Sequence, residues 1–533
     1  MSNRSERAIE NPNIIIILLD QASQPFAWEN DQTREFRKKY MPNMEYIKNN
    51  SIVLNNHHIS SAACVPSRAT LLTGVNSDKT RVHHTDGVAK TSKELEWLDA
   101  KKTPTLGNIL IDSGKYERDD VVYIGKHHLK EGILFDEEGQ RIETIDREGN
   151  LNKENLEKYL KKDMLGDLGF TYLSGPDPHG ASMFNAGFLV DPGFVKLSVD
   201  WLKNRENNFN PFVQILSLVE PHDLVYFPNV WLGIWGNKIT KKLDLKDIPV
   251  SPTDNDDLSQ YPLAYQHWVK RYDTYFINQN PKLYRQFYYY LLTLADDTLG
   301  TFLNYFKTSK AANNTIVIFT SDHGDLCGTH GNGYQKWYNP YEEVTNVFCN
   351  IMRFKDGSPC WKGVIDYPTS HIDIVPTVCK ILDINYDGFD GTNIFSSDKK
   401  NKAIKCYIRD HITMGNNLVR FPWRVFPQLP NVNKTFAPID YDDEGQNIIC
   451  PEYAISITWR IINDILYKLV IYHVPEYVPN DLHDEELNAL INKNLIFLYD
   501  LTNDRCETKN IVKENINIVM LLHEEFVSRN NEN

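Results

Sequence analysis

Short apolar runs and longer amphipathic segments alternate along the first 400 residues of the chain. Residues 14–19 are a continuous run of branched side chains that ends at Asp20, which is typical of a strand buried on both faces of a parallel sheet. Amphipathic spacing between such runs predicts helices, the longest over residues 283–306. Comparable apolar runs predict further strands at residues 51–55, 121–124, 212–218 and 315–320. This βαβ alternation predicts an α/β fold with a large, mostly parallel sheet sandwiched by helices.

The hydrophobic pattern changes after about residue 400. Residues 455–460, 465–472 and 495–499 alternate between polar and apolar positions as antiparallel strands do, and residues 511–527 predict a closing helix. We therefore predict a catalytic-type α/β domain over residues 1–400 and a smaller C-terminal α+β subdomain with an antiparallel sheet over residues 401–533.

Residues 223–281 interrupt the periodic pattern of the first domain. They are rich in aromatic residues, prolines and acids, and we predict an inserted, partly helical segment. Two interpretations are open. The insertion lines the substrate side of a site, where Trp231, Trp235 or Trp268 stacks on a sugar or cages a quaternary ammonium, or it is a packed surface extension.

The composition is that of a globular, acidic protein. The 533 residues are 41% hydrophobic and 24% charged, and the formal net charge is -14. This charge argues against nucleic acid and against an anionic membrane as partners. An anionic substrate would therefore need a local pocket of cationic side chains.

Two features of the sequence predict a cytoplasmic location. The apolar run at residues 14–19 is too short for a signal-peptide core or a membrane span. The eight cysteines lack C-x-x-C pairs and framework spacing, so we expect free thiols in a reducing compartment.

Residues 64–74, with the sequence CVPSRATLLTG, carry the most specific chemistry in the chain. Pro66 suits the first turn of a helix, because its missing N–H costs nothing there. Cys64 would then lie at the helix N-terminus, where free N–H groups and the helix dipole favour an anion. The run resembles the C-x-P-S-R and L-T-G signature of the type I sulfatases, which are members of the alkaline phosphatase superfamily. This resemblance implies an alkaline-phosphatase-like fold.

The resemblance to type I sulfatases also implies a modified nucleophile. In that family the cysteine, here Cys64, is oxidised by a formylglycine-generating enzyme to formylglycine, and the arginine, here Arg68, holds the hydrate of this aldehyde. One hydroxyl of the hydrate attacks sulfur in line, and the second then expels sulfate and restores the aldehyde. Formylglycine is thus implied as a built-in cofactor, and the modifying enzyme as a partner during maturation.

Two further segments resemble the metal-binding segments of these sulfatases. Asp20 follows the first strand, and Asp322 and His323 follow a later predicted strand in the run Ser-Asp-His-Gly-Asp. The resemblance implies that they bind one divalent cation together with residue 64; oxygen ligands favour Ca²⁺, with Mg²⁺ and Mn²⁺ as alternatives. Many relatives have a second aspartate where this chain has Gln21. This variant is similar to choline-sulfatase-like members, which the motifs resemble most, and to phosphonate-monoester-hydrolase-like members.

The same resemblance assigns four side chains to the ester. Lys126 and His128 lie in the segment GKHHL, which resembles the family's G-K-x-H-L segment. It implies that Lys126 contacts the sulfate oxygens and that His128 positions or deprotonates the hydrate. His222, in EPHD, and Lys336, in GNGYQKWYNPYEE, would assist the leaving alcohol. Residues 498–511 resemble the family's C-terminal L-Y-D-L-x-x-D-x-x-E-x-x-N-L segment, so the resemblance covers nearly the whole chain.

Three functions are open at this point. The leading prediction is hydrolysis of a small-molecule or carbohydrate sulfate monoester. An alternative is hydrolysis of a phosphonate monoester or a phosphodiester with the same nucleophile. The third is a non-catalytic binding protein in which Cys64 stays unconverted, but a complete set of site residues favours an enzyme.

Overall fold

The structure of the chain is a computed structural model. It describes residues 11–24, 30–85, 92–146, 150–178, 186–208, 210–227, 242–272, 281–410, 453–473 and 482–528. Its strands are β1 (Asn13–Asp20), β2 (Ile52–Leu54), β3 (His57–His58), β4 (Val121–Gly125), β5 (Thr171–Tyr172), β6 (Val213–Pro221), β7 (Asn314–Ser321), β8 (Cys349–Lys355), β9 (Ser358–Pro359), β10 (Gly363–Ile365), β11 (Thr369–Ser370), β12 (Ile404–Asp410), β13 (Tyr453–Ile462), β14 (Ile465–His473) and β15 (Ile496–Asp500). Its α-helices are α1 (Asp31–Tyr40), α2 (Pro42–Asn49), α3 (Cys64–Thr73), α4 (Ser77–Thr80), α5 (Leu106–Asp112), α6 (Lys153–Lys162), α7 (Gly187–Asn204), α8 (Leu263–Tyr272), α9 (Pro281–Phe306), α10 (Thr329–Asn332), α11 (Glu342–Thr345), α12 (Ile374–Ile381), α13 (Asp484–Asn492) and α14 (Ile516–Ser528).

Strand β1 lies near the middle of a nine-stranded sheet. The strand order is β10-β2-β8-β7-β1-β6-β4-β5, with β9 paired to β8. β1 runs parallel to both β6 and β7. Alternate residues from Ile15 to Leu19 pack into one hydrophobic core, and those from Ile14 to Leu18 pack into a second core on the other face. Both faces of the sheet are therefore covered, which confirms the predicted α/β class.

Four strands of this sheet were not predicted, namely β5, β8, β9 and β10, and β8 is the longest of them. β8 lies antiparallel between β7 and β2, so the sheet is mixed rather than wholly parallel. Asn350 and Arg353 interrupt its apolar run, and Arg353 and Lys355 lie where β8 becomes partly exposed. The pattern of β8 is therefore weaker than that of β1.

The C-terminal sheet is antiparallel, as predicted, with the order β12-β13-β14-β15. β12 was not predicted. The prediction of a closing helix from residue 511 was wrong by five residues, because α14 begins at Ile516. The N–H of Ile511 is instead bonded to the carbonyl of Leu498 in β15, and a short 3₁₀ helix, Val512–Glu514, lies between this residue and α14. The predicted boundary at residue 400 stays a prediction.

The described part of the insertion is partly helical and packs against the main domain. α8 lies within it, and Trp268 of α8 is buried, with Nε1 donating to the carbonyl of Tyr334 at 2.9 Å. Trp268 is therefore a packing residue. Trp231 and Trp235 lie outside the described residues.

Two further observations concern the cysteines and the helices. The seven described cysteines are free, and Cys450 lies outside the described residues. In the described ranges, no helix combines the length and the apolar character that a membrane crossing requires.

Candidate active site

The carboxyl ends of four adjacent strands bring the predicted site residues together. Asp20 ends β1, Lys126 follows β4, His222 follows β6 and Asp322 follows β7. These strands are neighbours in the order β7-β1-β6-β4 and run parallel. Side chains at one edge of a parallel sheet converge on the same crevice, which is where α/β folds place their sites.

Cys64 is the first residue of α3, so it lies at the helix N-terminus as predicted. Ala63 before it has a φ of 69°, a left-handed turn that directs the chain into the helix. At the other end, Gly74 has a φ of 71°, and a Cβ there would lie 2.8 Å from the ring of Phe389. Glycine is therefore required at this left-handed helix end. Every residue of α3 is buried.

The thiol of Cys64 lies among three of the other predicted residues. Its Sγ is 3.3 Å from Nε2 of His323, 3.7 Å from Nζ of Lys336 and 3.8 Å from Oδ1 of Asp20. The sulfur therefore occupies a polar position where a substituent on Cβ of residue 64 would contact a carboxylate, an imidazole and an ammonium.

Arg68, one turn further along α3, holds the two carboxylates in place. Its Nε donates to Oδ2 of Asp322 and one terminal nitrogen donates to Oδ2 of Asp20, both at 2.9 Å. The other terminal nitrogen donates to the carbonyl of Lys126 at 2.6 Å and to Oγ of Ser217 at 2.8 Å. A guanidinium can satisfy all four acceptors because its donors form a rigid fork.

Lys126 forms a fully buried ion pair with Asp20. Its Nζ is 2.7 Å from Oδ2 of Asp20. Burial alone would raise the pKa of Asp20, but the positive charges of Lys126 and Arg68 help to lower it well below its usual value. Nζ of Lys126 has no hydrogen bond of suitable geometry among the described residues, so it retains donors for an anion at this site.

The chemistry of the donor set fits a hard divalent cation. Ligand atoms of Asp20, Cys64, Asp322 and His323 all lie within 4.8 Å of one another. Nδ1 of His323 is 3.0 Å from the carbonyl of Gly324, so Nδ1 carries the proton and Nε2 presents its lone pair to the site. Burial lowers the pKa of His323 to about 4, which keeps the imidazole neutral, as a metal ligand must be.

Gln21 binds Lys336 beside the thiol of Cys64. Nζ of Lys336 donates to Oε1 of Gln21 at 2.9 Å. Nε2 of Gln21 donates to Asp325 at 2.6 Å and to Gln335 at 3.0 Å. Sequence reasoning missed Asp325 and Gln335, although Asp325 closes the Ser-Asp-His-Gly-Asp run.

The two remaining histidines occupy different positions. His222 begins a short 3₁₀ turn after β6, and burial together with the charge of Lys126 lowers its pKa well below the usual value, so it is neutral. His128 lies in the turn after β4, where its N–H donates to Asp177 at 2.9 Å and its ring is 6.2 Å from that of Trp97.

Three buried acids beside His222 were also missed, because single carboxylates have no local signature. The carboxylate of Asp191 accepts the N–H groups of Val219 and Glu220 at 2.8 and 2.9 Å, at the end of β6. Burial raises the pKa of Asp191 to about 8 and that of Asp223 to about 6. Burial and the neighbouring Asp223 raise the pKa of Glu220 well above its usual value.

Comparison with known proteins gives a consistent family. A family model described as Sulfatase matches residues 12–384. An arylsulfatase of Clostridium perfringens is 25% identical over 439 residues, which are 76% of this chain and 82% of that protein. A choline-sulfatase of Rhizobium meliloti is 21% identical over 384 residues, with 70% and 68% coverage. The uncharacterized sulfatase YidJ of Escherichia coli is 24% identical over 343 residues, which are 64% of this chain and 63% of YidJ, just under two thirds of its length.

Solved structures share the fold. A 2-O GAG sulfatase superposes with a TM-score of 0.62 at 18% identity, over 98% of this chain and 93% of that chain. A phosphonate monoester hydrolase of Agrobacterium radiobacter superposes with a TM-score of 0.56 at 16% identity, over 97% and 95% of the two chains. At these identities the likeness concerns the fold alone.

Proposed function

The chain belongs to the sulfatase family, and on that premise we propose that it hydrolyses a sulfate monoester with residue 64 as the nucleophile, after oxidation of Cys64 to formylglycine. The observation that carries this proposal is the position of Cys64, at the N-terminus of α3 and within 3.3 to 3.8 Å of His323, Lys336 and Asp20. A helix N-terminus and two buried ammonium groups favour the anionic ester.

The side chains of the site have separate tasks in this proposal. Arg68 fixes Asp20 and Asp322 and so orients the hydrate of residue 64. Lys126 binds the non-bridging sulfate oxygens with the donors that it retains beside Asp20. Lys336 and the neutral His222 stabilise the leaving oxygen, and His128 accepts a proton from the hydrate.

One divalent cation belongs to this proposal. Asp20, Asp322, His323 and residue 64 would hold it, with Ca²⁺ favoured by the oxygen ligands and Mg²⁺ or Mn²⁺ as alternatives. When bound, such a cation neutralises charge on the ester oxygens and polarises the nucleophile.

Maturation and location are part of the same proposal. A formylglycine-generating enzyme is needed as a partner, because the chain supplies the cysteine but not the oxidation. The free thiols of the described cysteines support a cytoplasmic location.

A phosphonate monoester or phosphodiester hydrolase is the second candidate. Gln21 favours it, because this residue replaces a carboxylate and is the feature shared with phosphonate-cleaving relatives. A binding protein with unconverted Cys64 is less favoured, because it has no need for buried Arg68, Lys126 and Lys336 around the thiol.

The proposal is tested with enzyme co-expressed with a formylglycine-generating enzyme. Matched aryl esters that share one leaving group are assayed as the sulfate, the phosphonate monoester and the phosphodiester. We expect the highest kcat/KM on the sulfate. A tenfold preference for the phosphonate or the diester, about 1.4 kcal/mol of transition-state binding, would favour the second candidate instead.

A further inference from the structure

Lys336 lies in a loop that contains little regular secondary structure. This Lys336 loop, residues 327–341, contains the four-residue α10 and no strand. Five of its residues other than glycine have φ angles from 51° to 67°, namely Cys327, His330, Asn332, Gln335 and Tyr338. Left-handed backbone of this kind is unfavourable for residues other than glycine and persists only where surrounding contacts fix it. The position of Lys336 therefore depends on side-chain anchors.

A buried pair of side chains, His330 and Glu343, connects the first part of the Lys336 loop to the residues that follow it. Nε2 of His330 is 3.0 Å from Oε2 of Glu343, and the ring of Tyr341 stacks on His330 with the centroids 3.9 Å apart. The backbone of Glu343 also abuts the loop that follows β7, since a Cβ on Gly324 would lie 1.9 Å from its carbonyl oxygen. The Lys336 loop is thus closed against the segment that carries Asp322.

Residues from the C-terminal part of the chain contact the Lys336 loop and the residues that follow it. Nζ of Lys468, on β14, is 2.9 Å from Oε1 of Glu342 and 2.8 Å from Oε1 of Glu507. Oε2 of Glu507 accepts the N–H of Glu342 at 2.8 Å. The hydroxyl of Tyr472, also on β14, donates to the carbonyl of Tyr338 at 3.1 Å, two residues from Lys336.

His330, Glu342, Glu343, Lys468 and Glu507 form one buried ion cluster. Ligand atoms of His330, Glu343 and Glu507 lie within 4.8 Å of one another, which is also the spacing of a metal site. Two observations favour an ion network over a metal. Lys468 already contacts Glu507 at 2.8 Å, and Nε2 of His330 is already 3.0 Å from Glu343. The ammonium group of Lys468 therefore supplies a positive charge within the cluster.

We propose that Lys468 and Glu507 are positioning residues that hold Lys336 at the leaving oxygen through the ion cluster. Their ion pairs and side-chain hydrogen bonds in the described residues are with Glu342 and with each other. They therefore act on Lys336 through Glu342, Glu343 and the Lys336 loop. This inference rests on the proposed function, because it assigns Lys336 to the leaving group. The C-terminal part of the chain is then required for fast departure of leaving groups of high pKa.

The test uses the converted, full-length enzyme and a series of aryl sulfates of rising leaving-group pKa. The variants are Lys336→Ala, Glu507→Gln and the milder Tyr472→Phe, which removes the hydrogen bond to Tyr338. Ser456→Ala is the matched control. Ser456 is buried in β13 of the same sheet, and its Oγ is 2.7 Å from Nε2 of His473. Its side chain lies on the opposite face of the sheet from Ile455 and Ile457, which pack in the same hydrophobic cluster as Tyr341 of the Lys336 loop.

A positioning role predicts losses that grow with leaving-group pKa. We expect Glu507→Gln to lose at least about tenfold more kcat on the poorest leaving group than on the best, and Tyr472→Phe to show the same trend more weakly. Combining Glu507→Gln with Lys336→Ala should cost no more than Lys336→Ala alone. Ser456→Ala should follow the wild-type dependence.

Four results would overturn the inference or its premise. A uniform loss across the series, or losses that multiply in the double variant, would make Lys468 and Glu507 merely structural. Loss of one bound cation in Glu507→Gln, by elemental analysis after loading with Ca²⁺ or Zn²⁺, would make the cluster a metal site. A converted wild type that is inactive on every sulfate would contradict the proposed function itself.

Discussion

Lys336 donates a hydrogen bond from Nζ to Oε1 of Gln21 over 2.9 Å, and both side chains are buried. Because Nε2 of the same amide faces two acceptors, Asp325 and Gln335, the orientation of Gln21 is fixed by its surroundings. The neutral amide of Gln21 thus lies between the Lys336 ammonium and the Asp325 carboxylate.

Gln21→Glu should destabilise the folded chain by about 2 to 4 kcal/mol, because glutamate has no donor for Asp325 or Gln335 and adds a buried charge beside Asp325. Urea unfolding of the two proteins measures the difference. A variant as stable as the wild type would contradict the described amide network.

Arg68→Lys should reduce kcat by about a hundredfold or more, because an ammonium cannot replace a guanidinium at four acceptors around Asp20 and Asp322. Steady-state kinetics on a sulfate ester measures the loss. Arg37→Lys is the control, since Arg37 is also buried and paired with a carboxylate, Glu45, at 2.6 Å. If both variants lose activity equally, the effect is one of folding and not of the site.

Exhaustive chelation should abolish turnover and lower the melting temperature, and added Ca²⁺ should restore both, because Asp20, Asp322 and His323 would then regain their cation. Asp20→Asn should lose the bound cation in elemental analysis. Asp120→Asn, at a buried carboxylate paired with Arg205, should retain it. Full activity in a metal-free sample would remove the cation from the proposal.

Glu220→Gln should flatten the dependence of stability on pH. The folded-state pKa of Glu220 is raised by burial and by Asp223, so the folded chain binds more protons than the unfolded chain between the two pKa values. The stability that Glu220 contributes is complete below its unfolded pKa and is lost as pH rises through the folded pKa. Wild type should therefore lose more unfolding free energy than Glu220→Gln as pH is raised from 5 to about 8. The exposed Glu138→Gln should behave as wild type, and equal slopes for all three proteins would contradict the shift.

The residues at strand ends were predictable from sequence because parallel strands impose a common edge. The apolar run before Asp20 and the one before Asp322 mark β1 and β7, and neighbouring parallel strands bring their carboxyl ends together. The signature around Cys64 then located the remaining partner.

The residues that surround the site were not predictable in this way. Glu507 and Glu342 are 165 positions apart, and Asp191 lies about 30 positions from the strand end that it caps. A single carboxylate in a sequence has the same pattern whether it is solvated or buried, and only the tertiary fold decides its partners. β8 was missed for a related reason, because its antiparallel pairing with β7 depends on register and not on local periodicity.

In the proposed mechanism, residue 64 acts as formylglycine. Preparations with different extents of conversion, made with and without a co-expressed modifying enzyme, are compared for the mass of the peptide that contains residue 64 and for turnover of a sulfate ester. We expect turnover per mole of chain to be proportional to the converted fraction and to be absent when only cysteine is found. Full turnover by a preparation whose peptide mass corresponds to unmodified Cys64 would contradict it.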